Sequence, residues 1–216
     1  MYQPGHGRFV TRDPAALLAE LSAAVPATLV TLSGGALRAS ILPMLFDPRD
    51  GEHGTLRGHF ARGNPQWRET DTSVEALAIF NGPEAYVSPR LYPSTRESER
   101  HVPTWNYVTV QAAGPLAIID DRDWLLDIVR RLTVRHESSA ERPWSADDVP
   151  SDYLEAQLRG IVGLELRITR LDAKRKLSQN RDASDAASVI ETFAAGAPGE
   201  RAVGLEMAKE QREPTG

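Results

Sequence analysis

The sequence has no cysteine at any of its 216 positions. Disulfide bonds, thiol nucleophiles and thiolate metal sites are therefore excluded. It also lacks an apolar run that approaches 18 residues, and no N-terminal apolar stretch resembles a signal peptide. We therefore expect a cytoplasmic protein that makes no membrane contact.

The chain also has fewer positively charged than negatively charged side chains. The chain has 25 Lys and Arg residues against 30 Asp and Glu residues, which gives a net charge of −5. Such a chain has no bulk attraction to a phosphate backbone, so direct contact with DNA would need a local basic surface. The one candidate surface is the segment 170–181, which carries five cations against Asp172. The alternative is that this segment is simply a hydrated loop.

Common catalytic motifs are absent too. His136-Glu137 lacks the second histidine of the zinc-binding HExxH pattern, and no serine lies in a G-x-S-x-G setting. We therefore predict no metal site and no Ser-His-Asp triad.

The hydrophobic pattern predicts mainly β-structure with flanking helices. Hairpin-like runs of alternating residues precede several helical repeats, which favours an antiparallel barrel. The predicted strands are 27–32, 36–42, 55–60, 74–80, 85–88, 107–119 and 161–171, with a turn at Asn81-Gly82-Pro83 and a bend at Gly114-Pro115. The predicted helices are 13–25, 121–137, 152–160 and 186–195, with a long loop over 88–106 and a polar tail at the C-terminal end.

The stretch GHFARGNPQWRE (58–69) places His59, Arg62 and Asn64 within six positions. Asn64 is a favoured helix cap and Pro65 a favoured first helical residue, so a helix should begin here. The free N–H groups of its first turn, together with Arg62, suit a phosphate. The alternative is that Asn64-Pro65 only caps a helix and Arg62 is a solvated charge.

Two further stretches carry candidate ligand contacts. In HVPTWNYVTV (101–110), Trp105 and Tyr107 should share one strand face, where an aromatic ring could flank a heteroaromatic ligand; core or dimer-interface packing is the alternative. KRKLSQNR (174–181) places four cations among Ser178, Gln179 and Asn180, so it could hold phosphate or form a hydrated basic loop.

These stretches, together with FNGPEAYVSPRLY (80–92) and IVGLELRITRLDAKRKLSQNR (161–181), resemble the PaiB-like family of FMN-binding negative transcriptional regulators. The likeness extends from Met1 to about Glu191. It implies an antiparallel split β-barrel of the FMN-binding type that forms a homodimer, with FMN at the subunit interface. It also implies a barrel domain over 1–181 with inserted helices, followed by a C-terminal helix and flexible tail over 182–216.

The resemblance assigns cofactor contacts to three segments. The residues it places around FMN are His59, Arg62, Asn64, Gln66, Trp67, Trp105, Asn106, Lys176, Gln179 and Asn180. One position departs from the family: relatives carry a histidine in the strand before Leu42-Pro43, where this chain has Ile41.

Three functions remain open at the level of sequence. The resemblance implies a flavin-binding regulator, with DNA contact possible by resemblance and not supported by charge. An FMN-dependent oxidoreductase that acts on a small molecule is the alternative, with the loop at 88–104 as a lid and His59 or Tyr107 as a proton donor. A dimeric interaction module that has lost its cofactor is the third.

Overall fold

The computed structural model describes residues 1, 9, 11, 13–98 and 100–212, and it divides into two compact units. The larger unit comprises Asp13–Phe80 and Val110–Asp172. The smaller unit comprises Met1–Arg12, Asn81–Thr109 and Ala173–Gly216. The two units alternate along the chain, and the expected domain boundary at residue 181 stays a prediction.

Two sheets account for the strands of the described residues. Their orders are β2-β1-β5-β6-β9 and β3-β4-β8-β7. The strands are β1 (Ala27–Ser33), β2 (Ala36–Leu42), β3 (Met44–Asp47), β4 (Thr55–Ala61), β5 (Ala76–Val87), β6 (Thr104–Gly114), β7 (Leu116–Ile119), β8 (Ile161–Arg167) and β9 (Arg170–Lys176). The pairs β1–β2, β1–β5, β3–β4, β4–β8 and β7–β8 are antiparallel, which confirms the predicted mainly antiparallel class.

Seven α-helices flank the sheets in the described part of the chain. They are α1 (Pro14–Ala24), α2 (Gln66–Glu69), α3 (Thr95–Ser98), α4 (Arg122–Glu137), α5 (Ser151–Arg159), α6 (Ala183–Ala194) and α7 (Pro198–Arg212). The segment expected as a long loop contains α3 and a 3-10 turn at Pro89–Leu91, and β6 begins within it. The helix expected after Asn64 is only the single turn α2.

Strand β4 carries two different faces. Leu56 and Phe60 are fully buried and pair with Leu166 and Val162 of β8. Successive side chains of a strand point to opposite sides, so His59 lies on the face opposite Phe60. Helix α4 lies on the His59 face of β4 in the larger unit, because His59 and residues of α4 line one cleft.

The bend expected at Gly114-Pro115 is present. Strand β6 ends at Gly114, β7 begins at Leu116, and the two strands belong to different sheets. A Cβ atom at Gly114 would lie 1.9 Å from the carbonyl oxygen of Arg167, so only glycine allows this close approach of two backbones.

The turn predicted at Asn81-Gly82-Pro83 is wrong. Strand β5 runs without a break from Ala76 to Val87. Its buried positions change from even numbers, such as Phe80, to odd numbers, such as Ala85, so the strand is irregular where the turn residues lie. These turn-forming residues distort a strand here and do not end it.

Two elements near the C-terminus also differ from the sequence prediction. The basic residues 174–176 lie in strand β9, which follows β8 after a two-residue connection, and not in a loop. Residues 198–212, expected as a polar flexible tail, form helix α7, in which Val203 and Met207 are buried. Apolar residues spaced four apart explain this burial on one helix face.

Candidate functional site

The guanidinium group of Arg62 is bound by acceptors of the larger unit. It donates to both carboxylate oxygens of Asp120, at 2.9 and 2.5 Å, and to the carbonyl oxygens of Arg159 and Ile161, at 2.7 and 2.9 Å. Four of the five N–H groups of an arginine are thus in use. A phosphate at this position would have to compete with Asp120.

The other residues of this turn hold one another. Asn64 accepts from the backbone N–H of Gln66 and donates to Ser40 Oγ at 2.8 Å, as expected of a cap. Gln66 is buried; its amide accepts from Ser40 and donates to Thr31 Oγ1 at 3.0 Å. These groups fix the turn against strands β1 and β2, and they leave Gln66 no exposed polar group for a cofactor.

His59 precedes the turn in strand β4, and Trp67 follows it in helix α2. The indole Nε1 of Trp67 donates to the carbonyl oxygen of Arg62 at 3.0 Å, and the Arg68 guanidinium lies 4.6 Å from the ring centroid. His59 lines a cleft with Pro43, Thr133 and other residues of α4. Burial lowers the pKa of His59 below its ordinary 6.5, so the imidazole is neutral at pH 7. His59 therefore faces α4, and it precedes Arg62, which lies just after the end of β4, by three positions.

In the smaller unit, Trp105 and Asn106 lie on opposite faces of β6. Trp105 is 53% exposed and contacts the ring of Tyr86 edge-on, with ring centroids 6.1 Å apart. Asn106 is fully buried, and its amide donates to Ser178 Oγ at 2.9 Å and to Met207 Sδ at 3.4 Å. A ring that stacks on Trp105 would therefore not reach the Asn106 amide.

Two cations lie near the ring of Tyr107, and a third, Arg181, acts on one of them. The Nζ atoms of Lys174 and Lys176 lie 5.6 and 5.9 Å from its centroid. Burial lowers the pKa of Lys176, and the positive charges of Lys174 and Arg181 lower it further. We call these three residues, Lys174, Lys176 and Arg181, the basic cluster.

Lys176 and Arg181 contact neutral groups. Lys176 Nζ donates to Thr104 Oγ1 and, at 2.7 Å, to the carbonyl oxygen of Trp105, while the Arg181 guanidinium lies 4.7 Å from the ring centroid of Tyr92. Over residues 13–98 and 100–212, no carboxylate forms an ion pair with either of them. Lys176 and Arg181 therefore keep positive charge that no carboxylate among the described residues balances.

The turn after β9 is held by its own hydrogen bonds. Gln179 accepts from the N–H of Leu177 at 2.8 Å and donates to the carbonyl oxygen of Arg175 at 2.6 Å. Ser178 has a φ of 66°, the only positive value at a non-glycine position among the described residues. Asn180 is exposed beside this turn. Of the predicted contacts, Asn106 and Gln179 are thus structural, and Lys176, Asn180 and Trp105 have accessible groups.

The predicted residues therefore form two groups. His59, Arg62, Asn64, Gln66 and Trp67 belong to the larger unit, and the remaining five belong to the smaller unit. The set omitted Lys174 and Arg181, although both lie in the basic segment. The spacing of Lys174 and Lys176, two apart on a strand, is the pattern that would have placed them on one face.

Two negative findings apply to the described residues. No group of three His, Cys, Asp or Glu side chains in this part of the chain could hold a metal ion. Nor is any helix in it long and apolar enough to span a bilayer.

Two mainly antiparallel sheets with flanking helices define a split-barrel protein. The sequence family described as "Putative FMN-binding domain" matches residues 1–170, and the chain belongs to this family. The resemblance to the PaiB-like proteins is confirmed by this match and by the relatives.

Among these relatives is the protease synthase and sporulation protein PAI 2 of Bacillus subtilis. It is 37% identical over 164 residues, which cover 76% of each chain. An uncharacterised protein of Aspergillus fumigatus is 35% identical over 199 residues, which cover 73% of this chain and 76% of the relative.

Solved structures agree on the fold. The flavocytochrome Anf3 from Azotobacter vinelandii matches 86% of this chain and 78% of its own, with a TM-score of 0.57 and 13% identity. The FAD- and haem-binding protein from Mycobacterium smegmatis matches 87% of this chain and 80% of its own, with a TM-score of 0.52 and 18% identity. At these identities the likeness concerns the fold alone.

Proposed function

We propose that this protein binds FMN, works as a homodimer, and has a regulatory role that depends on flavin occupancy. The observation that carries the proposal is the basic cluster, in which Lys176 and Arg181 have no carboxylate partner among the described residues. Membership of an FMN-binding family and the PAI 2 relative support the choice of ligand.

A phosphate group fits the electrostatics of the basic cluster. Burial and the positive charges of Lys174 and Arg181 lower the pKa of Lys176, and a phosphate of about −2 charge would offset that repulsion. Lys176 would donate to a phosphate oxygen, and Arg181 could present two parallel N–H groups. The exposed Asn180 amide adjoins Arg181 and offers a further donor.

A flat ring fits the neighbouring aromatic surface. Lys176 Nζ donates to the backbone carbonyl oxygen of Trp105, so the cation lies close to the strand position that carries the exposed indole. An aromatic face next to a charged donor suits a heteroaromatic ring that carries a phosphate tail. Bound FMN would supply the redox chemistry of its ring, while these residues bind and orient it.

The turn after β4 then has a structural role. Its conformation is held by Arg62, Asn64, Gln66 and Trp67. Arg62 is paired with Asp120, and the buried amide of Gln66 has hydrogen-bond partners within the protein, so neither side chain needs a ligand. We therefore assign the phosphate to the basic cluster and keep the Arg62 turn as a structural element.

The proposed homodimer is supported by the surface of β2. This strand is at the edge of its sheet, and Leu37 and Ile41 on it are 77% and 71% exposed. An edge strand with large exposed apolar side chains is a surface that pairs readily with another chain.

The proposed regulation does not require DNA contact by this chain. The net charge of −5 opposes binding to a phosphate backbone, so we expect regulation to act through a partner protein or a metabolite. In a filter-binding assay at physiological salt, tight binding to DNA with a steep salt dependence would contradict this part of the proposal.

The test of FMN binding is equilibrium dialysis followed by flavin absorbance. We expect Lys176→Met to weaken FMN binding by roughly tenfold to a hundredfold, because a charge-assisted hydrogen bond to phosphate is lost. Lys209→Met is the matched control, since Lys209 already pairs with Glu206, and it should bind FMN like the unmodified protein.

Arg62→Ala separates the two candidate phosphate sites. If folded Arg62→Ala loses FMN while Lys176→Met retains it, the phosphate belongs to the turn after β4 and our assignment is wrong. If the unmodified protein takes up no added FMN, flavin binding itself is wrong.

A further inference from the structure

A cleft of about 300 Å³ lies between strand β4 and helix α4 in the larger unit. We call it the α4 cleft. It is lined by His59, Val129, Leu132, Thr133, Glu137 and Trp144, among others. Its volume is at the small end of the range for sites that bind small molecules.

The walls of the α4 cleft are mostly apolar and well supported. Leu132 is buried and packs with Leu45 and Ile128 in one hydrophobic cluster. Trp144 is held by its backbone N–H, which donates to Glu137 Oε2 at 3.2 Å. Apolar walls with a few placed polar groups are typical of ligand sites.

One polar atom in this region has no partner. Nδ1 of His59 is buried and makes no hydrogen bond with the described residues. By contrast, Arg57, two positions earlier on β4, donates to Glu165 Oε2 at 2.7 Å. Buried polar atoms are almost always paired in native proteins, so an unpaired nitrogen on a residue that lines a cleft indicates a missing hydrogen-bonding group.

The charges at the cleft select the class of ligand. The neutral imidazole of His59 cannot balance an anion, and the carboxylate of Glu137 on the α4 wall repels one. The other lining residues are apolar or neutral, apart from the exposed ring of His136. The flat indole of Trp144 favours a planar molecule.

We propose that the α4 cleft binds a small, uncharged, planar molecule whose polar group hydrogen-bonds with Nδ1 of His59. This site is separate from the proposed FMN contacts in its residues, because all of its lining belongs to the larger unit and the basic cluster belongs to the smaller one. It therefore goes beyond the proposed function.

The test uses the full chain, with and without added FMN, and three probes of one shape: benzamide, benzoate and benzylamine. Binding is followed by the NMR signals of ¹⁵N-labelled histidine rings. We expect benzamide to shift the His59 ring nitrogens in a saturable way and to bind at least about tenfold more tightly than either charged probe.

Variants locate the binding. His59→Phe keeps a flat ring and removes the nitrogen, so benzamide affinity should fall by about tenfold, measured by calorimetry. Thr133→Phe narrows the opposite wall and should abolish the His59 shifts, which keeps the test decisive if His59→Phe does not fold. Val134→Ala, on the exposed side of α4, should bind benzamide normally.

Three results would overturn the proposal. They are the absence of a saturable His59 shift with any probe, tighter binding of benzoate or benzylamine than of benzamide, and displacement of bound FMN by benzamide. The last result would make the α4 cleft part of the flavin site. A failure of FMN binding leaves the test intact, because the readout is the His59 ring itself.

Discussion

At the scale of single residues, the polar side chains predicted to contact a cofactor differ in their hydrogen-bond partners within the protein. Arg62 and Gln66 have acceptors and donors within the larger unit, and Asn106 has them within the smaller unit. Lys176 binds only neutral oxygens, and His59 Nδ1 binds no described group. Lys176 and His59 are therefore the two residues at which we propose that a ligand binds.

His59 should make stability depend on pH. Its pKa is lower in the folded state than the ordinary 6.5, so the unfolded chain takes up a proton first as the pH falls. Stability is therefore fully present above about pH 6.5 and is lost as the pH falls towards the folded pKa. We expect His59→Phe to remove this loss, and to be up to about 1 kcal/mol more stable at pH 7.5 because it removes an unpaired buried nitrogen.

Urea unfolding at pH 7.5, 6.5 and 5.5 measures the effect. His136→Gln, a change at the other histidine of the α4 cleft, is the matched control and should keep the acid sensitivity of the unmodified protein. Equal acid sensitivity in His59→Phe and the unmodified protein would show that His59 is not the group responsible.

Only part of this residue-level arrangement could be predicted from sequence. The alternation of Trp105, Asn106 and Tyr107 correctly placed Asn106 on the opposite face, because strand periodicity is local. The partner of Arg62 could not be predicted, because Asp120 is 58 residues away in sequence and meets it only after folding. The same holds for the contact of Asn106 with Met207.

At the scale of elements, helix α4 is positioned by a glycine in the sheet. A Cβ atom at Gly163 of β8 would lie 2.4 Å from Cζ3 of Trp124 and 2.9 Å from the carbonyl oxygen of Ile119. The missing side chain thus lets the first turn of α4 approach β8. The cap of that turn is Asp121, which accepts from the N–H of Trp124 at 2.8 Å.

Gly163→Ala should therefore be destabilising by about 1–3 kcal/mol, because Trp124 must shift in a packed interface. The free energy of urea unfolding is the measurement. Gly63→Ala is the matched control, since no heavy atom lies within 4 Å of its added Cβ, and its change should stay within about 0.5 kcal/mol. Equal effects of the two substitutions would contradict this account of the packing.

The elements that the sequence predicted well are those with strong local periodicity. The repeat of Leu125, Ile128 and Leu132 predicted α4, and all three are buried. Strand β9 was not predicted, because its basic residues lack an apolar alternation and the strand forms by pairing with distant residues. Strand β5 passes through Asn81-Gly82-Pro83 for a related reason: its pairing in the sheet overrides the local preference for a turn.

At the scale of the whole molecule, the free edge at β2 bears on self-association. Ile41 takes the place of the histidine expected by resemblance, and it presents an apolar side chain to solvent on an edge strand. An apolar residue in place of a polar one at such an edge would strengthen the proposed subunit contact.

Ile41→Glu should accordingly weaken the proposed homodimer by roughly tenfold or more, because it would place a charge where the proposed contact buries apolar area. Sedimentation velocity over a range of concentrations gives the dissociation constant. Val134→Glu, which changes another exposed apolar residue, should sediment like the unmodified protein. An unchanged dissociation constant in Ile41→Glu would show that β2 is not the subunit contact.

The left-handed backbone at Ser178 has a kinetic consequence. Its hydroxyl group exchanges hydrogen bonds with the amide of Asn106, so the turn that carries Arg181 is already ordered in the free chain. The entropy of ordering this turn is then lost during folding and not during association. In stopped-flow mixing, the observed rate should rise in proportion to flavin concentration, without the plateau that a slow rearrangement step would impose.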